Sequence, residues 1–130
     1  MSNNVRELGN LSKEIYKCIT DEIDTERVII TEEQLNHIAN HHPEAYDSVV
    51  KEVQNAIAKP DYIIKDKNKK DTGLVVKRVS IEDSYVYLVL KICTDSKGGR
   101  LANSIISGWH ISRKRLQNYL RNCTILYKGE

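Results

Sequence analysis

The chain has 130 residues, 40% hydrophobic and 29% charged, with a formal net charge of +2, which suits one compact domain and is short for two. No apolar run approaches the roughly 18 residues of a membrane span, and Met1-Ser2-Asn3-Asn4 does not begin a basic-then-apolar leader, so neither a membrane protein nor a secretory signal is expected. Cys18, Cys93 and Cys123 are far apart, odd in number and form no CxxC pair, so the expectation is reduced thiols in the cytoplasm, with no disulfide frame and no cysteine zinc site.

Residues 4–24 carry Leu11, Ile15, Cys18, Ile19 and Ile23 at helical spacing, and the pattern predicts an amphipathic helix weakened by Gly9. Arg27-Val28-Ile29-Ile30 is a β-branched run that predicts a short strand. Thr31-Glu32-Glu33-Gln34 is a capping box, so a helix is expected from about Glu32 to about His41. Pro43 stops it and is placed to open the next. That second helix is marked by Ala45, Tyr46, Val49, Val50, Val53, Ala56 and Ile57 and ends at Lys59-Pro60. From Asp61 the pattern turns to strands: Tyr62–Ile64, a polar basic turn over 65–73, then Leu74–Val79 and Ser84–Ile92. In the last of these Val86, Leu88, Leu90 and Ile92 alternate with Tyr85, Tyr87, Val89 and Lys91. A loop over 94–100 precedes a strand over Asn103–Ile111; Ser112 caps a short basic helix, and Ile125–Tyr127 ends the regular structure. Helices first and strands later predict an α+β fold. The aliphatic face of 86–92 is expected to pack on the helices, which leaves the Tyr85, Tyr87, Lys91 face open for base stacking and phosphate contact.

Charge divides along the chain. Residues 1–60 hold 6 Lys/Arg against 11 Asp/Glu, a net of −5, and residues 61–130 hold 14 against 7, a net of +7. A one-sided basic excess is the electrostatic footprint of a nucleic-acid binder; a solvated lysine-rich surface gives the same count.

Three of the four histidines fall at His37, His41 and His42, where one predicted helix ends and the next begins. Proton transfer at neutral pH calls for a group titrating near 7, and histidine is the usual one. His37 and His41 share a helix face four residues apart, a spacing that also suits zinc. Ile38 follows His37, however, so the glutamate of an HExxH base is missing, and no third ligand lies nearby. No metal or other cofactor is expected. Histidines satisfied by carbonyls at a helix end are the ordinary alternative.

The segment ITEEQLNHIANHHPEAY, followed by KPDYI, TGLVVKRV, YLVLKI, NSIISGWHISRKRLQNYL and a final LYK, resembles the phage-associated branch of the barnase–EndoU–colicin–RelE nuclease superfamily. The resemblance spans about residues 28–128 and rests on the order of the pieces. It implies helices packed on an antiparallel sheet of about four strands, and RNA cleavage without metal. By position it assigns His37 and His42 to the two motif histidines, His41 to a place where arginine is common, Lys77 to the strand lysine, and Ser104 and Ser107 to the hydroxyl-bearing strand. Ser107 stands where a threonine is usual.

The implied chemistry is attack of an RNA 2′-hydroxyl on the adjacent phosphorus, which leaves a 2′,3′-cyclic phosphate. It needs a base, an acid and a cation at the phosphate. His37, with His42 as partner, fits the proton transfers, Lys77 the cation, and Ser107 a phosphate contact. Ser104, His41, Tyr87, Lys91, Trp109, Arg113 and Lys114 are candidate substrate contacts; ordinary strand serines and a core tryptophan are the alternatives. The chain thus reads as an N-terminal accessory helix over 1–27 and a nuclease domain over 28–130. Its expected partners are RNA, tRNA among them, and, by analogy with the family, an inhibitor protein of a toxin-like nuclease. A non-catalytic RNA- or protein-binding module on the same fold is the competing reading.

Overall fold

A computed structural model describes residues 5–79, 84–94 and 102–129. The elements are β1 (Val5–Asn10), α1 (Lys13–Tyr16), β2 (Arg27–Thr31), α2 (Glu32–His41), α3 (Tyr46–Ala58), β3 (Tyr62–Lys65), β4 (Thr72–Val79), β5 (Ser84–Lys91), β6 (Asn103–Ser112), α4 (Arg113–Asn122) and β7 (Ile125–Lys128). The expected loop over 94–100 lies outside the described residues apart from Thr94.

The fold is α+β, with a single sheet of seven strands in the order β1-β2-β6-β5-β4-β3-β7 rather than about four. β3 to β6 form the expected antiparallel centre. The extra width comes from β7 on β3 at one edge and from β2, parallel to β6, with β1 outside it at the other.

The N-terminal segment corrects the expected long helix over 4–24. Residues 5–10 are a strand paired with β2, and α1 is only four residues long. Gly9 sits at φ 96, beside a register shift, in the left-handed region that favours glycine. Arg27 on β2 grips Glu7 on β1 with both its Nε and a terminal nitrogen, which lowers the Glu7 pKa. Pairing across strands thus overrides the local apolar period. That stripe still reports burial, because Leu11 and Ile23 are buried and Ile15, Cys18 and Ile19 pack against the core. The Tyr16 hydroxyl donates to Ile57 O at 2.8 Å in the interior. The described part of residues 1–27 therefore shares one sheet and one core with the rest instead of standing apart.

α2 follows the sequence closely. The Thr31 hydroxyl accepts from Gln34 N, and the Gln34 side chain accepts from Thr31 N. α3 starts later than Pro43: residues 43–45 form a turn in which Ala45 N donates to His42 O. α2 and α3 bury Leu35, Ile38, Val49, Val53 and Ile57 against Val75, Val86, Leu88 and Leu90 on one sheet face. Gly108 lets α3 approach, since a Cβ there would lie 2.9 Å from Leu88 Cδ2 and 3.2 Å from Val49 Cγ1. Gly108→Ala is therefore expected to cost roughly 1–3 kcal/mol, read as a lower denaturant midpoint.

The other face, expected to be open, is covered around Tyr87. α4, capped by the Ser112 hydroxyl accepting from Arg115 N, lays Leu116, Tyr119 and Leu120 over Ile64, Val76, Tyr87 and Ile111. Tyr87 is only 3% exposed. No described helix is long and apolar enough to cross a membrane.

Candidate active site

β5 and β6 determine which side chains can meet. Tyr87 pairs with Trp109, Val89 with Ser107 and Lys91 with Ser104. Alternation along the strands puts these residues on the α4 side of the sheet. Beyond Ser104, β6 pairs with β5 alone among the described residues, and α2 packs against β6.

At the end of α2 the chain breaks at His42, whose backbone (φ −136, ψ 56) is no longer helical. His42 N still donates to Ile38 O, and the half-buried imidazole stacks on Trp109 with ring centroids 5.3 Å apart. Trp109 in turn meets Tyr87 at 4.7 Å, and Tyr87 meets Tyr119 of α4 at 5.2 Å. The indole is held between His42 and Tyr87. It acts as a rest for the imidazole. Tyr87, buried under α4, cannot stack a base, which corrects that expectation; burial also pushes its phenol well above the usual range.

His37 and His41 are exposed one turn apart on α2, with ring centroids at 4.3 Å. His41 Nδ1 lies 3.1 Å from His37 O. Gln34, His37 and His41 lie on one stripe of the helix, and Gln34 lines an open cleft of about 500 Å3 with Lys69, Lys70, Lys91, Ser104 and Ile106. The cleft has α2 on one side, β5 and β6 as its floor, and the β3–β4 turn on the other. That turn folds back against α4 and β7: Lys67 Nζ donates to Asn122 O and Lys65 N to Thr124 O. Lys91 Nζ donates to Lys70 O at 3.0 Å and ties the turn to the floor.

Lys77 is not brought to this cleft. It shares the face of Val75, on the α3 side, and its Nζ donates to Lys59 O at 2.8 Å with Asp61 Oδ1 at 4.0 Å. Lys59 caps the C-terminal end of α3, so Lys77 and His42 lie at opposite ends of a helix about 20 Å long. Arg113 and Lys114, exposed in the first turn of α4, continue the line of β6 beyond Trp109.

Sequence reasoning missed Gln34, Lys69 and Lys70 as neighbours of Ser104. The lysine density of the 65–70 turn was the available signal, but where the turn folds is a tertiary fact. It also missed Asn103, which is fully buried. Its Nδ2 donates to Thr25 O and Arg27 O, and its Oδ1 accepts from Cys93 N.

Histidines at the end of α2 can supply proton transfer, and the Ser104 hydroxyl and the lysines of the cleft can bind an anion. The model of the phage-Barnase-EndoU-ColicinE5/D-RelE like nuclease2 family matches residues 3–128. No curated protein and no solved structure matches the chain. A family match over nearly the whole length, on a mixed sheet and helix fold, makes this chain a member of that family of phage-associated nucleases.

Proposed function

We propose that the chain is an endoribonuclease that needs no metal and works in the cleft between α2 and β6. His37 and His42 divide the roles of base and acid, with the 2′-hydroxyl of RNA as nucleophile and a 2′,3′-cyclic phosphate as product. The observation that carries the reading is the fixed imidazole of His42, stacked on Trp109 two residues along β6 from Ser107. A stacked ring keeps one orientation, as a proton-transfer group requires. Ser107 and Ser104 offer hydroxyls to the phosphate, and His41 stands at the rim.

The cation at the phosphate is Lys91 in place of Lys77. Lys91 is level with Ser104 on the cleft floor, and Lys77 lies on the opposite, α3 face of the sheet. Lys91→Met is expected to slow cleavage by roughly 10²-fold, the usual cost of removing one preorganised donor, whereas Lys77→Met leaves the rate unchanged. Rates at saturating RNA check both, and equal effects would return Lys77 to the site.

The test of function is incubation of the purified protein with total tRNA and a mixed RNA pool in EDTA, with product ends mapped. Discrete cuts ending in 2′,3′-cyclic phosphate are expected. RNA that stays intact while still binding would replace the enzyme with a non-catalytic RNA-binding module.

A further inference from the structure

The end of β3 and the turn that follows it carry Lys65, Lys67, Lys69 and Lys70 within six residues, and the backbone of the turn is fixed from several directions. Asp66 Oδ1 accepts from Asn68 N at 2.9 Å and Lys69 N at 3.2 Å. Lys70 O accepts from both the Thr72 hydroxyl and Lys91 Nζ. Asp71 takes a left-handed backbone at φ 58. The ammonium groups of Lys69 and Lys70, by contrast, make no ion pair among the described residues. Two exposed cations on a pinned backbone are well suited to a polyanion.

These two lysines border two depressions. On one side is the cleft with Gln34, Lys91 and Ser104. On the other is a second depression of about 510 Å3, reaching Cys18, Thr20, Lys65 and Leu126. The turn is therefore a divider that a flexible chain can cross. The cleft floor is narrow. α4 and the turn cover the sheet toward β3 and β4, and α2 flanks β6, which leaves about two strands, or roughly 10 Å, of open width. That admits one polynucleotide strand and not a duplex. On β6, Trp109 and Ser107 are two residues apart on the α4 side of the sheet, with Ser104 on the same side past the bulge. Rows on one strand face repeat at about 7 Å, comparable with the separation of successive phosphates in an extended strand.

We infer that the β3–β4 turn is a phosphate-binding wall, and that the site takes an extended single strand whose flanking phosphates pass from Ser104 and Lys91 across Lys69 and Lys70 into the second depression. This deepens the ribonuclease reading above and rests on it for the identity of the substrate. The site thus selects unpaired RNA, in loops or tails, with several nucleotides on the lysine side of the cut.

The test uses labelled single-stranded oligothymidylate of increasing length, which lacks the attacking 2′-hydroxyl and stays intact. Anisotropy titrations at several salt concentrations compare the wild-type chain with Lys69→Gln/Lys70→Gln. Affinity of the wild type should rise with length and exceed that for a duplex of the same length. The double substitution should make the slope of log K against log salt shallower by about 1.4, since each lost phosphate contact removes about 0.7 on a single strand. An unchanged slope, equal binding of duplex, or no binding of the single strand at low salt would overturn the inference. Failure of the ribonuclease reading would register separately, as intact tRNA with the slope difference still present.

Discussion

Replacing His42 by alanine should slow RNA cleavage by roughly 10²–10⁴-fold, the contribution of one placed acid or base. On the proposed reading the fall should appear in kcat, because proton transfer is the role assigned there to the imidazole. The melting temperature should change little. His42 is only half-buried, and its structural link to α2 is a backbone N–H to Ile38 O that alanine keeps. His37→Ala belongs in the same experiment. His37 is exposed at the same end of α2 and stacks on His41, so its removal tests the second proton-transfer role with little effect on the core. A fall in kcat for both variants supports paired acid and base. A fall for His37→Ala with His42→Ala unchanged would make His42 a mere packing partner of Trp109. Full activity in both would remove the histidines from the chemistry.

Asn103→Ala should be the most destabilising polar substitution, at about 3 kcal/mol or more. One side chain serves three backbone groups: two carbonyls on the approach to β2 and the amide of Cys93 just after β5. It is fully buried, so water cannot replace it, and each buried group left unpaired costs on the order of 1–3 kcal/mol. The consequence is topological as well as energetic. The parallel β2–β6 contact covers only Val28 with Asn103 and Ile29 with Ser104, and the Asn103 clamp is what joins β1 and β2 to the central sheet there. Chemical denaturation should show a lower midpoint, with hydrogen exchange rising first in β1 and β2. Asn103→Asp, which keeps the acceptor, loses the donor and buries a carboxylate, should likewise lie below wild type. Wild-type stability in Asn103→Ala would mean the clamp contributes nothing.

Much of the local structure was readable in the chain. The capping box at Thr31 and Gln34 forms as the sequence dictates, Ser112 caps α4, and the alternation of 84–92 defines β5. These signals act over a few residues, where propensity and hydrogen-bonding geometry decide. The order of the motif pieces was likewise legible, and it led to the family that matches residues 3–128.

Only the tertiary structure decided the rest, and in each case the reason is a competition that a linear pattern cannot weigh. Leu11, Ile15 and Ile23 have helical spacing, yet pairing of β1 with β2 is stronger, so the stripe marks burial without marking helix. The tyrosine face of β5 reads as open until α4 folds back over it. Lys77 and Lys91 are equivalent in sequence, each a basic residue on a predicted strand; the parity of their positions in the sheet sends one to the α3 side and the other to the cleft floor. The sequence determined which residue types this protein brings to its cleft and the local elements that carry them. The fold determined which of them meet, because side chains far apart in the chain become neighbours only through strand register and the face on which each helix lands.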